Sequence, residues 1–208
     1  MTMNKWEQFA TSFEEKNNYV VGIEDINKVK EALTSFPDLG NVLELGCGNG
    51  TYTESIAAAA TAIVATDLSE DMVAVTRERF KTSHHIQVEQ ADCFNLRYPD
   101  NSFDTVFMAN LLHIVPNQSA LLSECLRVLK DGGRLIVVSF TLHGMTLLNQ
   151  LALKYRYVKT YGTKSSNNAP LSPDIAKTLC QQSGFNNPQI RTIGNKVKAV
   201  LLAAEKSI

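Results

Sequence analysis

An acidic residue, three alternate glycines and a second acidic residue about twenty positions further on are the makings of a nucleoside-binding site. Glu44 interrupts the apolar run Val42-Leu43-Glu44-Leu45, which leads straight into Gly46-Cys47-Gly48-Asn49-Gly50, and Asp67 ends the next apolar run. Alternate glycines strip Cβ atoms from the turn, so its backbone can take positive φ and lie against a flat ligand. In a βαβ unit the stretch from Gly46 to Asp67 returns the chain to the carboxyl end of the neighbouring strand. A carboxylate placed there can accept both ribose hydroxyl protons.

The turn also discriminates between nucleoside ligands. A dinucleotide fingerprint wants Gly or Ala where this chain has Thr51, so that a helix N-terminus stays open to a pyrophosphate. Thr51-Tyr52-Thr53-Glu54 instead reads as a capping box, whose hydroxyl and carboxylate satisfy the first helical amides from within the chain. Glu44 adds negative charge that repels phosphates and suits an ammonium or sulfonium. S-adenosylmethionine carries both cations. An NAD-linked oxidoreductase is disfavoured on the same residues, whereas a non-catalytic adenosylmethionine-binding sensor or partner subunit stays open.

Glu44-Leu45-Gly46-Cys47-Gly48-Asn49-Gly50 resembles motif I of the class I S-adenosylmethionine-dependent methyltransferases, in particular the small-molecule branch that includes quinone-biosynthesis enzymes. Four further stretches match in order. Thr66-Asp67-Leu68-Ser69 resembles the ribose-binding motif and Gln90-Ala91-Asp92-Cys93 the adenine-binding motif. Phe103-Asp104-Thr105-Val106 with Asn110-Leu111-Leu112-His113 resembles the strand beside the reaction centre, and residues 127–135 the turn that closes the cofactor domain. The resemblance is close over residues 40–140 and looser beyond.

The resemblance implies a methyl transfer from S-adenosyl-L-methionine, leaving S-adenosyl-L-homocysteine, to a small-molecule acceptor whose nucleophile is N, O, S or C. It implies that Glu44 and the Gly46 backbone hold the methionine ammonium, Asp67 the ribose hydroxyls and Asp92 the adenine amino group, with Asn110 passing close to the methionine end. Cys47, Gly48, Gly50, Leu68 and Cys93 complete the cofactor-facing motifs. Few catalytic groups are needed, because a sulfonium is already a good leaving group and the protein mainly aligns the acceptor and excludes water. If the acceptor must lose a proton, His113 is the candidate base, since an ordinary imidazole titrates near neutrality. Tyr19, His143 and Tyr161 are candidates for the acceptor pocket. The plainer alternative for each is packing or capping.

Those residues need a scaffold, and the chain alternates strand and helix signals throughout. Residues 4–35 read as one or two polar helices, and 41–47, 62–68, 86–93, 103–110 and 133–140 as buried parallel strands. Ser69 caps the helix that follows Asp67, and residues 119–130 carry leucines at helical spacing. Ser172-Pro173-Asp174 starts a final helix, Gly184 stops it, and 189–193 and 199–204 are the last two strands. The expected fold is therefore α/β: a Rossmann-like, doubly wound sheet of seven mostly parallel strands, with an antiparallel C-terminal edge hairpin and helices on both faces. Residues 1–208 read as one methyltransferase domain, with N-terminal lid helices (1–38, carrying Trp6, Phe9, Phe13 and Tyr19), a cofactor core (39–140), a variable acceptor segment (141–173) and a final helix with edge strands (174–208).

Composition supports this reading. The chain has 208 residues, 44% apolar content and a formal net charge of −1, enough for one core and without the basic excess that would favour a nucleic-acid acceptor. Asn110-Leu111-Leu112-His113 also lacks the two prolines and aromatic residue of enzymes that methylate exocyclic amines of DNA bases. The four cysteines and four histidines form no zinc spacing, so no metal is expected. No transmembrane segment or secretory leader is evident, which points to a cytoplasmic protein, with monomer and homodimer both open. Residues 141–173 hold no acidic residue but interleave Lys154, Arg156, Lys159 and Lys164 with Tyr155, Tyr157 and Tyr161. Such a segment could bind an anionic acceptor, or make peripheral contact with an anionic membrane through Leu147, Leu148 and Leu151. The ordinary reading is an amphipathic helix that packs its apolar residues and solvates its basic face.

Overall fold

A strand whose apolar residues run on without polar breaks must be covered on both faces, and that is where this chain's central strands lie. The computed structural model describes residues 12–162 and 170–207. In chain order these form α1 (Phe13–Val21), α2 (Ile23–Thr34), β1 (Gly40–Leu45), α3 (Thr53–Ala57), β2 (Ala60–Asp67), α4 (Glu70–Arg79), β3 (Ile86–Gln90) and β4 (Phe103–Ala109). There follow α5 (Gln118–Val128), β5 (Leu129–Thr141), α6 (Leu147–Tyr161), α7 (Pro173–Gln182), β6 (Phe185–Ile193) and β7 (Lys198–Lys206). The seven strands make one sheet in the order β3-β2-β1-β4-β5-β7-β6. β1 to β5 are parallel, and β7 lies antiparallel between β5 and β6. This is the expected mixed sheet with its C-terminal hairpin.

Alternation along the strands assigns the two faces. Val42, Phe107, Ile136 and Val138 pack with Val29 and Leu33 of α2 and Ile56 of α3. Their neighbours Leu43, Leu45, Val106, Met108, Leu135 and Val137 pack with Leu121, Leu122 and Cys125 of α5 and with Ala176 and Cys180 of α7. The chain leaves β1 for β2 on one side and resumes at β4 on the other. Order thus reverses at β1, and a crevice opens beyond the carboxyl ends of β1 and β4.

Capping follows the sequence at α4 and α7, and α5 gains a cap beyond those expected. Ser69 accepts the Met72 amide at the start of α4, Asn117 the Ala120 amide at α5, and Ser172 the Ile175 amide at α7, where Pro173 takes the first turn. At α3 the expected capping box does not form. Helix begins only at Thr53, without a side-chain cap. Thr51 donates its hydroxyl to Asn49 Oδ1 at 2.7 Å, and Glu54 is drawn away to Arg79 at 2.9 Å. An Asn side chain two residues before Thr51 outcompetes a box that needs another turn of helix to close.

Boundaries shift modestly. β3 stops at Gln90, three residues short of the expected strand, because Asp92 turns the chain by accepting the Phe94 amide at 2.9 Å. β5 starts at Leu129 rather than 133, with an irregular register against β4. α6 departs from expectation in kind. Leu153, Tyr157 and Tyr161 pack with Val20, Val21, Ile26, Met145 and Val197, but Leu147, Leu148, Leu151 and Tyr155 face outward instead of packing. The lid aromatics Trp6 and Phe9, and Lys164, lie outside the described residues.

Candidate functional site

The crevice is built from four strand ends. After β1 the backbone takes positive φ at Gly46 (71°), Gly48 (56°) and Gly50 (78°). The glycines serve different ends. A Cβ on Gly50 would lie 2.6 Å from the Phe80 ring and 3.2 Å from Thr76, so this glycine lets α4 close on the turn and does not face a ligand. A Cβ on Gly48 would meet only the Phe13 ring, at 4.0 Å, which leaves this backbone approachable under α1. The turn is then held by side chains from other elements. Thr76 donates to the Gly48 carbonyl at 2.6 Å, and Thr66 to the Glu44 carbonyl at 2.8 Å. Arg79 reaches the Asn49 carbonyl at 3.4 Å and Glu14 at 3.2 Å.

Asp67 stands at the end of β2, facing the turn. One carboxylate oxygen accepts the Gly48 amide and the other the Ser69 amide, each at 2.9 Å. Burial raises its pKa while these amides hold it down. Each carboxylate oxygen has a second lone pair, so both can still accept a hydroxyl. Beside it Leu68 is 59% exposed, an apolar side chain open to cover the flat face of a base. Asp92 is exposed at the next strand end, and the Ala91 amide is tied to the Asp67 carbonyl at 3.1 Å. Burial pushes the neighbouring Cys93 thiol up to about 11 and the Cys47 thiol further, so both are inert fillers at neutral pH.

Glu44 is buried on the α3 face of β1, accepting the Thr53 hydroxyl at 2.6 Å. Burial pushes its carboxyl up to about 7; the Thr53 bond opposes this and the Asp67 charge adds to it. Glu44 is therefore no fixed anion in the free protein. A cation beside it, such as the ammonium of a ligand, favours its charged form.

On the other side of the crevice Asn110 takes φ 58°, which swings the chain out of β4. Its side-chain oxygen accepts the Phe140 amide at 3.0 Å and its amide bonds the Val138 carbonyl at 2.7 Å, locking this turn to β5. Leu111 then covers Gly46, where a Cβ would sit 3.3 Å from it. His113 Nδ1 lies 2.8 Å from the Ser139 hydroxyl of β5. The pocket candidates do not converge so well. Tyr161 is buried in the α1–α6 cluster, Tyr19 is half-exposed beneath Lys159 with its ring 5.9 Å from the ammonium, and His143 is exposed in the turn before α6. Packing thus claims Tyr161, rather than an open pocket.

Several contributors carry no local sequence signal. Thr76 and Arg79 reach the turn only through the docking of α4. Tyr52 is buried with its hydroxyl toward Asn110, where it finds no hydrogen bond of good geometry. Leaving such a group unpaired costs about 1–3 kcal/mol. Among the described residues no group of three His, Cys, Asp or Glu side chains is placed to hold a metal ion.

Residues 43–137 match the family described as a methyltransferase domain. The demethylmenaquinone methyltransferase of Staphylococcus saprophyticus is 28% identical over 178 residues, 77% of this chain and 76% of that one. The enzyme of the same name from Clavibacter sepedonicus is 31% identical over 138 residues, 65% of this chain but only 56% of its own length. Among solved structures, an S-adenosylmethionine-dependent methyltransferase from Thermotoga maritima superposes with a TM-score of 0.76 at 21% identity, over 98% of this chain and all of that one. The fold is Rossmann-like, with its crevice at the switch point of the sheet. Over residues 43–137 the chain is similar to the methyltransferase-domain family, and its fold is that of the S-adenosylmethionine-dependent methyltransferases.

Proposed function

We propose that the protein transfers a methyl group from S-adenosylmethionine, by in-line displacement, to a small-molecule acceptor. The observation that carries this reading is the meeting, at the switch point of the sheet, of the Gly48 backbone, Asp67 and the Asn110 turn. When bound, the cofactor supplies an electrophilic methyl carbon on a sulfonium. Asp67 accepts the ribose hydroxyls, Leu68 covers the adenine face, Asp92 takes its amino group, and Glu44 with the Gly46 backbone faces the ammonium. Asn110 fixes the loop that lines the methionine end. Any proton the acceptor must lose would pass to His113. The names of the relatives make reduced quinones the first acceptors to try.

A dinucleotide is disfavoured partly by features other than those the sequence suggests. With the capping box absent, what works against a pyrophosphate is a helix of only five residues after the turn, too short for a useful dipole, together with the carboxyl of Asp67 against the Gly48 amide. The same reading takes 1–208 as one methyltransferase domain that acts in the cytoplasm, as monomer or homodimer, without nucleic acid. Titration calorimetry with S-adenosylmethionine, S-adenosylhomocysteine and NAD tests it. The first two should bind and NAD should not; NAD binding without adenosylmethionine binding would sink the proposal.

A further inference from the structure

Helix α6 has two apolar faces where a surface helix needs one. Its inner face, Leu153, Tyr157 and Tyr161, meets α1 and the turn before β7. On its outer face Leu147 is 70% exposed, Leu148 79%, Leu151 56% and Tyr155 65%, with Val158 beside them. At about 100° per residue these five positions share an arc about 100° wide. Lys154 falls just beyond one edge of that arc and Lys159 just beyond the other, and both are exposed. From Gly132 to Pro173 the sequence has no acidic residue. Arg156, on the far side of the helix, is turned to the Tyr19 carbonyl at 3.4 Å.

We propose that α6 docks this protein on an anionic lipid surface, with the leucine stripe in the acyl boundary and Lys154 and Lys159 at the phosphates. An apolar stripe bordered by lysines is the arrangement of helices that lie in the membrane interface, because each lysine can lay its stem along the apolar edge and keep its ammonium at the headgroups. Charge selects this occupant over a second copy of the chain. In a two-fold contact the stripe would meet itself, bringing lysine borders against lysine borders with no carboxylate in the segment to pair them. Anionic headgroups supply that partner. α6 also follows the carboxyl end of β5, on the sheet edge that carries the crevice, so docking would place the crevice near the lipid. The proposal rests on α6 alone and not on the identity of the acceptor.

Co-sedimentation of the full chain with vesicles tests it. The protein should pellet with vesicles of phosphatidylglycerol and phosphatidylcholine, should not pellet with phosphatidylcholine alone, and should be released by salt. Leu148→Asp with Leu151→Asp should lower the partition by at least about tenfold, and Lys154→Glu with Lys159→Glu should lower it too. Both pairs are exposed, and an unchanged unfolding midpoint and cofactor affinity would show the fold intact. A wild-type chain that ignores anionic vesicles, or a folded aspartate variant that binds them as well as wild type, would overturn the proposal. So would a wild-type dimer in sedimentation equilibrium that the aspartate variant abolishes, since the stripe would then belong to a second copy.

Discussion

At the scale of single residues, the open matter is whether His113 moves a proton or only shapes the pocket. Its Nδ1 lies 2.8 Å from Ser139 Oγ, and that hydroxyl also lies 3.4 Å from the Phe140 carbonyl. If the hydroxyl donates to the carbonyl, it must accept from Nδ1–H, which makes Nε2 the basic nitrogen. This is the tautomer that general-base catalysis requires. His113→Gln should then cut turnover by about 10²–10⁴ and erase the acidic limb of the pH profile, with little change in cofactor affinity. Ser139→Ala should act more weakly and displace that limb, because it loosens the tautomer without removing the base. Steady-state rates across pH with a working acceptor decide the matter: near-normal turnover and an unaltered profile in His113→Gln would leave His113 a wall of the pocket.

At the scale of elements, α2 is tied to the far end of the chain by Glu24 to Asn195 and Arg191 to Ala32, both exposed, and above all by one buried side chain. Buried Asp25, in the first turn of α2, accepts the amides of Asn195 at 2.6 Å, Lys196 at 3.2 Å and Val197 at 2.8 Å, and so closes the β6–β7 turn. Asp25→Ala strands three amides at once, and urea unfolding should show a loss of roughly 2–4 kcal/mol; a loss below half of that would mean water replaces the carboxylate. Nothing near Asp25 in the sequence announces its partner, and the same holds for Thr76 and Arg79, which hold the glycine turn from α4. Local signals are the legible ones. Unbroken apolar runs mark the inner strands, Ser69 and Ser172 mark two helix starts, and the glycine turn with Asp67 marks the crevice, because each signal lies within a few residues of what it shapes. The capping box at Thr51 fails because Asn49 lies within reach of the same hydroxyl. The outward leucines of α6 defy the packing expected of them because helical spacing shows which residues share a face but not which face is covered.

At the scale of the whole molecule, the buried carboxyl of Glu44 ties folding stability to pH, and the sign is opposite to that of an ordinary ion-paired acid. Its pKa rises on folding from 4.5 to about 7 because burial disfavours the charged form. The native state therefore holds its proton where the unfolded chain has lost it. The associated stability is complete below the unfolded pKa and is lost as pH rises through about 7. Asp67, also raised by burial, works in the same direction. Asp104 and Glu124 oppose them. Hydrogen bonds from Lys130 and Arg127 lower these two partly exposed carboxyls despite the cost of burial, so their stabilisation is lost as pH falls through the acid range. Stability of the free protein should thus peak on the mildly acidic side and decline toward pH 8. Glu44→Gln keeps an oxygen for the Thr53 hydroxyl but removes the buried charge. It should raise stability at pH 8 by about 2–3 kcal/mol, and change little below pH 4.5, where wild-type Glu44 is already neutral. Saturating S-adenosylmethionine should flatten the alkaline decline of the wild type, because an ammonium beside Glu44 favours its charged form, and the binding should release protons near neutrality. Urea unfolding of both proteins from pH 4 to 8 checks this. Parallel stability curves would show that Glu44 ionises as freely in the folded sheet as in the unfolded chain, and its preference for a cation would then have no basis in burial.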